Sequence, residues 1–137
     1  MDPYLAGLIA ELCGTEAAAG RLREAGVEPA QGLVEELCSF RPSTPEEAAA
    51  FLRGLFESSG ELFDPDPHAE GNLIVIFRGA RAAEALDALG ISYLATTDES
   101  GERPYVVVYE PGEVAKFLRL IRPEVPAPLK RKASEYL

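Results

Sequence analysis

The apolar residues in the first part of the chain recur at helical spacing. Leu5, Leu8, Ile9 and Leu12 lie at positions i, i+3, i+4 and i+7, so they share one face of a short helix. Two more short stretches of helical character follow before a proline-containing break. The pattern therefore predicts an N-terminal helical segment over residues 1–42.

A clear helix start follows this segment. Thr44 is suited to cap a helix, Pro45 is suited to its first position, and Glu47 stands three residues after the cap. Phenylalanine and leucine residues then recur on one face, and Gly60 is placed to end the helix. These signals predict a helix over residues 45–58.

Beyond Gly60 the apolar spacing changes from helical to strand-like. The strongest predicted strand is rich in β-branched residues, and a hairpin turn at residues 98–101 separates two more strands. The predicted strands are residues 61–63, 72–77, 91–97 and 105–109, and the predicted helices are residues 80–89 and 111–122. The order helix-strand-strand-helix-strand-strand-helix predicts an α+β domain with an antiparallel sheet over residues 43–122. Residues 123–137 are predicted to form a proline-rich exit and a basic C-terminal tail.

The composition is typical of a single soluble domain. The 137 residues are 47% hydrophobic and 26% charged, and no apolar run approaches the roughly 18 residues of a membrane span. The N-terminus lacks the basic segment of a signal peptide, so we expect a cytoplasmic protein with no membrane partner. Cys13 and Cys38 are expected to be reduced thiols, and a single bridge between them is the alternative.

Charge is distributed unevenly along the chain. The net charge is −10, but residues 1–110 carry −13 and residues 111–137 carry +3. Affinity for duplex DNA comes largely from neutralisation of phosphates. The acidic body therefore disfavours general nucleic-acid binding, and any DNA contact would be local.

The helix over residues 45–58 ends in a recognisable motif. Residues 52–60 read Leu-Arg-Gly-Leu-Phe-Glu-Ser-Ser-Gly and are followed directly by a strand, which resembles the LAGLIDADG homing-endonuclease motif. The resemblance implies that fold, with Gly54 at a close contact between two helices. In the family, the acid before the final glycine binds the metal that activates water. Ser59 stands at that position, and Glu57 matches the earlier acid of the motif, so the resemblance implies a lost catalytic site.

Two other segments bear on this resemblance. Residues 5–9, Leu-Ala-Gly-Leu-Ile, spell the start of the same motif, but no acids follow in the family's positions and no strand follows. We interpret this run as an ordinary amphipathic helix; the alternative is a partner helix packed against residues 50–60. Residues 34–38 are similar to the N-terminal part of WhiA-type bacterial regulators, which look like homing endonucleases without nuclease activity.

The remaining polar clusters favour structural interpretations. Asp64, Asp66 and His68, with Glu61 nearby, could form a metal-binding loop, but acids alternating with prolines are more typical of a solvated turn. Glycine-rich phosphate loops are absent. We therefore predict no metal site, no cofactor and no catalytic residue.

Strand alternation predicts a sheet with an apolar uncovered face. Tyr105, Val107 and Tyr109 share one side of their strand, and Tyr93 lies in the preceding strand. An uncovered face of this composition is more typical of a protein interface than of a DNA saddle.

The leading hypothesis is a non-catalytic association module, either a homodimer or a subunit of a larger assembly. It would contact its partner through the sheet face or through the motif helix, whose candidate residues are Gly54, Glu57, Ser58, Ser59 and Gly60. The alternative is a DNA-binding regulator descended from a homing endonuclease, with phosphate contacts from Arg119, Arg122, Lys130, Arg131 and Lys132. A third hypothesis, an active metal-dependent endonuclease, would need Glu57 or Glu61 to replace the missing acid.

Overall fold

A four-stranded antiparallel sheet with helices on one face forms the centre of the fold, which a computed structural model describes over residues 1–137. The strands are β1 (Gly60–Phe63), β2 (Ile74–Arg78), β3 (Leu94–Thr97) and β4 (Pro104–Val108). The helices are α1 (Pro3–Ile9), α2 (Ala17–Glu24), α3 (Leu33–Cys38), α4 (Pro45–Ser59), α5 (Ala82–Ala88), α6 (Pro111–Ile121) and α7 (Lys130–Ser134). The predicted α+β class, with short helices before the sheet domain, is confirmed.

The strands lie in the order β1-β2-β4-β3. Leu62 pairs with Val75, Phe77 pairs with Val106, and every neighbouring pair is antiparallel. The two hairpin-like units, β1–β2 and β3–β4, are therefore joined through their second strands, and β1 and β3 form the edges.

The N-terminus of α4 forms as its sequence predicts. The Thr44 hydroxyl accepts a hydrogen bond from the Glu47 N–H at 3.1 Å. The Glu47 carboxylate accepts from the Ser43 N–H at 2.9 Å and from the Ser43 hydroxyl at 2.8 Å, and these bonds lower the Glu47 pKa. Donors at the start of the helix thus have side-chain partners.

The covered face of the sheet and the helices enclose one core. Phe56 of α4, Phe77 of β2 and Phe117 of α6 meet with ring centroids 5.7–6.2 Å apart. Leu8 of α1 and Leu22 of α2 belong to the same buried cluster. The N-terminal helices therefore share the core of the sheet domain.

Helices α1 and α4 pack backbone to backbone at a glycine in each. A Cβ atom on Gly7 would overlap the Phe51 carbonyl, and a Cβ atom on Gly54 would overlap the Tyr4 carbonyl. Phe51 and Tyr4 each lie three residues before the glycine of their own helix, so the two contacts are reciprocal. Residues 5–9 thus lie in the helix that packs against α4 within the same chain. This is the arrangement that the alternative interpretation of these residues expected, and not the favoured one.

A disulfide fastens the N-terminal helices to one another. Cys13 and Cys38 are bonded, with their Cα atoms 5.9 Å apart. The bond joins the turn after α1 to the end of α3, so the expectation of two reduced thiols is wrong and the bridge is formed. Neither thiol is available as a nucleophile or a metal ligand.

We predict that Gly54→Ala lowers the free energy of unfolding by about 3 kcal/mol, because the added methyl group forces the α1 and α4 backbones apart. Gly20→Ala is the matched control: it lies within α2, and a Cβ there would meet no atom within 4 Å. The control is expected to raise stability by up to about 1 kcal/mol. Urea unfolding of both variants measures the difference, and equal effects would contradict the close contact.

We predict that the double variant Cys13→Ser/Cys38→Ser loses about 3 kcal/mol of stability, because the bond closes a loop between residues separated by 25 positions. Urea unfolding of the wild type with and without a reductant should show the same loss. A reductant that further destabilises the double variant would show that the effect does not come from this bond.

Candidate functional site

The polar residues at the end of the motif helix form internal contacts. The Ser59 hydroxyl donates to the Leu55 carbonyl at 3.2 Å. Glu57 accepts from the Tyr4 hydroxyl at 2.6 Å and from the Glu124 N–H at 3.1 Å. The bond from Tyr4 to Glu57 raises the Tyr4 pKa. Glu57 therefore ties α1 and the segment after α6 to α4.

The other motif positions have structural surroundings. Gly54 is buried against α1, so this face of α4 is not free for a second molecule. Gly60 begins β1, where a Cβ atom would collide with Phe56. Ser58 is half-buried. Across the whole chain, no group of three or more His, Cys, Asp or Glu side chains is arranged to hold a metal ion.

Glu11 is a polar side chain that sequence reasoning did not single out. It follows α1, and its carboxylate lies where a Cβ atom on Gly79 would be. Its Oε1 atom is buried and has no hydrogen-bond partner. Burial raises the Glu11 pKa, and the backbone N–H and charge of Arg81 offset part of the shift. Only the fold reveals this position, because Glu11 and Gly79 are far apart in sequence.

The predicted solvated turn contains one end of a largely buried ion pair. The Asp64 carboxylate contacts the Lys132 ammonium at 2.7 Å, and both side chains are only 11–12% exposed. Lys132 also donates to the Asn72 side-chain oxygen at 2.8 Å and to the Asp66 carbonyl at 3.1 Å. Asp66 accepts from the His68 N–H at 3.0 Å, which is typical of a turn.

The basic tail packs on the domain. The Tyr136 hydroxyl accepts from the Leu73 N–H at 2.9 Å, and Arg119 Nε donates to the Tyr136 carbonyl at 3.0 Å. Lys132 and Arg119, two of the five predicted phosphate contacts, thus have internal partners. The other three are exposed: Arg122, Lys130 and Arg131.

The face of the sheet away from the helices is uncovered and largely apolar. We call it the open face, and its side chains are Glu61, Phe63, Ile74, Ile76, Arg78, Leu94, Thr96, Tyr105 and Val107. Phe63 is 43% exposed and Leu94 is 51% exposed, whereas Ile76 and Val107 at the centre are half-buried. The two charged members form an ion pair at 3.4 Å.

The predicted interface residues divide between this face and its borders. Tyr105 and Val107 lie on the open face, and Tyr109 follows β4 with 49% of its surface exposed. Tyr93 precedes β3, and its hydroxyl donates to Asp87 at 3.1 Å. Phe63 and Leu94 were not among the predicted interface residues, although strand alternation could have identified Phe63 within the predicted strand 61–63.

The helices are short relative to the thickness of a bilayer, and none is both long and apolar enough to cross a membrane. No known protein-family model matches the chain, and no curated protein is significantly similar in sequence.

We predict that Glu11→Gln stabilises the protein at pH 7 by about 1 kcal/mol, because it removes a buried charge. Because the folded-state pKa of Glu11 is raised, the protonated carboxyl contributes stability to the fold. That contribution is complete below about pH 4 and is lost as the pH rises through the folded-state pKa. The advantage of Glu11→Gln should therefore shrink towards pH 4. Urea unfolding between pH 4 and 7.5 measures it.

Glu102→Gln, in the exposed turn before β4, is the control for the charge change. An advantage of Glu11→Gln that stays constant with pH, or that Glu102→Gln reproduces, would contradict the assignment.

Proposed function

We propose that this protein acts by association rather than by catalysis, and that its open face is the surface through which it associates. The observation that carries the proposal is the band of uncovered apolar side chains across all four strands, from Phe63 on β1 to Leu94 on β3. Contiguous exposed apolar surface on a folded domain is typical of a contact with another protein.

A second copy of the chain is the partner that the charges on this face favour. The open face carries one acid and one base, Glu61 and Arg78, so it has no net charge although the chain carries −10. Two copies that meet through their open faces bring together the neutral apolar parts of two acidic molecules. A closed two-fold arrangement uses the same patch on both copies.

The polar groups of the motif helix support a non-catalytic role. The Ser59 hydroxyl and the Glu57 carboxylate both have partners within the fold. The resemblance to homing endonucleases, which rests on residues 52–60 and on the order of the elements, is consistent with a domain that has kept this architecture for binding.

The open face also offers little for a DNA backbone. Its single base, Arg78, is paired with Glu61, and its central side chains are Ile76 and Val107. Phosphate recognition needs several unpaired cations. The alternative of a DNA-binding regulator would therefore depend on the exposed tail residues.

Sedimentation equilibrium of the wild type should show a dimer. We predict that Phe63→Asp and Leu94→Asp each raise the dimer dissociation constant by about tenfold or more, because each buries a charge at an apolar contact. Both side chains are more than 40% exposed, so the monomer should stay folded, as judged by circular dichroism. Gln31→Asp, in the exposed turn before α3, adds the same charge elsewhere and should leave the constant unchanged.

A wild type that remains monomeric up to its solubility limit would contradict the homodimer. A dimer that both aspartate variants leave intact would exclude the open face as its interface. Titration of duplex DNA at low salt completes the design, because binding that weakens steeply with added salt would favour the regulator hypothesis.

A further inference from the structure

A cavity of about 680 Å³ lies beside the C-terminal end of α6, on a part of the molecule that the proposed association does not use. Its apolar wall comes from α6, from the segment that follows it, and from the tail. The lining includes Leu118, Val125, Ala133 and Leu137, together with the arginines Arg119 and Arg122. The volume falls within the range of about 300–1,000 Å³ that is typical of small-molecule sites.

The backbone at Arg122 is held in a conformation that favours glycine. Arg122 has φ 49° and ψ 55°, and its N–H donates to the Leu118 carbonyl as the cap of α6. The other seven residues with positive φ are all glycines. The position also precedes Pro123, which further restricts its backbone. The chain thus carries an arginine side chain at a position where helix termination alone would favour glycine.

The two arginines leave positive charge beside the cavity. They lie one helical turn apart, and neither forms a salt bridge in a chain whose net charge is −10. Arg119 uses its Nε atom on the Tyr136 carbonyl, which leaves its terminal nitrogens free. Arg122 donates no side-chain hydrogen bond within the protein. Guanidinium groups of this kind form strong charge-assisted bonds with carboxylates and similar anions.

We propose that this cavity binds a small anionic amphiphile, a molecule with a carboxylate or similar anion attached to an apolar chain. The anion would lie between Arg119 and Arg122, and the apolar chain would lie against Leu118, Val125 and Ala133. The strained backbone at Arg122 is then the cost of placing a second cation at the mouth of the cavity.

Decanoate, at concentrations below micelle formation, is the probe, and 1-decanol is its uncharged counterpart. Isothermal titration calorimetry of the wild type should show saturable one-to-one binding of decanoate and much weaker binding of decanol. Arg122→Gly should weaken decanoate binding by about tenfold or more, through the loss of a charge-assisted bond. The same variant should raise the melting temperature by about 2–4 °C, because glycine relieves the backbone strain.

Three further variants test whether the two expected effects of Arg122→Gly, weaker decanoate binding and a higher melting temperature, come from this position. Arg119→Gln should also weaken decanoate binding. Arg23→Gly makes the same exchange in the last turn of α2, away from the cavity and at ordinary φ, so it should lower the melting temperature and leave binding unchanged. Leu94→Asp should bind decanoate as the wild type does, which separates this cavity from the open face.

Three results would overturn the proposal. These are no decanoate binding to the wild type, equal binding of decanoate and decanol, or wild-type affinity in both Arg122→Gly and Arg119→Gln. None of them bears on the dimer, and a monomeric wild type that binds decanoate would leave this inference standing.

Discussion

The close backbone contact between α1 and α4, made possible by Gly7 and Gly54, is the constraint on which the N-terminal third of the molecule depends. Because neither helix has a side chain at the crossing, α1 lies close enough to α4 for Tyr4 to bond with Glu57. The turn after α1 then brings Glu11 against Gly79 and Cys13 against Cys38. A wider separation of the two helices would disturb all three contacts. One pair of glycines therefore positions the Tyr4–Glu57 hydrogen bond, the Glu11 carboxylate, the disulfide and part of the core.

Local chemistry in the sequence was enough to predict the elements, but not the contacts between distant segments. The cap at Thr44 and the alternation around Val75 depend on neighbouring residues, and both formed as predicted. The reciprocal fit of Gly7 and Gly54 depends on how two helices meet, so the sequence alone favoured an ordinary amphipathic helix at residues 5–9 over a helix packed against residues 50–60. The Cys13–Cys38 bond was only the alternative to reduced thiols for a similar reason, since spacing does not show whether two thiols come together.

The candidate surfaces differ in how much of their structure could be predicted from the sequence. The apolar character of the open face follows from strand alternation, so Tyr105 and Val107 were predicted correctly to lie together on one side of their strand. Lys132 could not be separated from Lys130 and Arg131 by sequence, because its partners Asp64 and Asn72 lie more than 55 positions away. The left-handed backbone conformation of Arg122 could not be predicted either, since the residue at this position is not a glycine.

The ion pair between Lys132 and Asp64 has a consequence for how this protein can diverge. Replacing either residue alone leaves the other as an uncompensated charge in a site that water barely reaches, which is costly. Exchange of both for apolar residues is far better tolerated than either single step. Substitutions at the two positions should therefore occur together among relatives. The ion pair thus couples the evolution of a helix near the C-terminus to that of a loop in the middle of the chain.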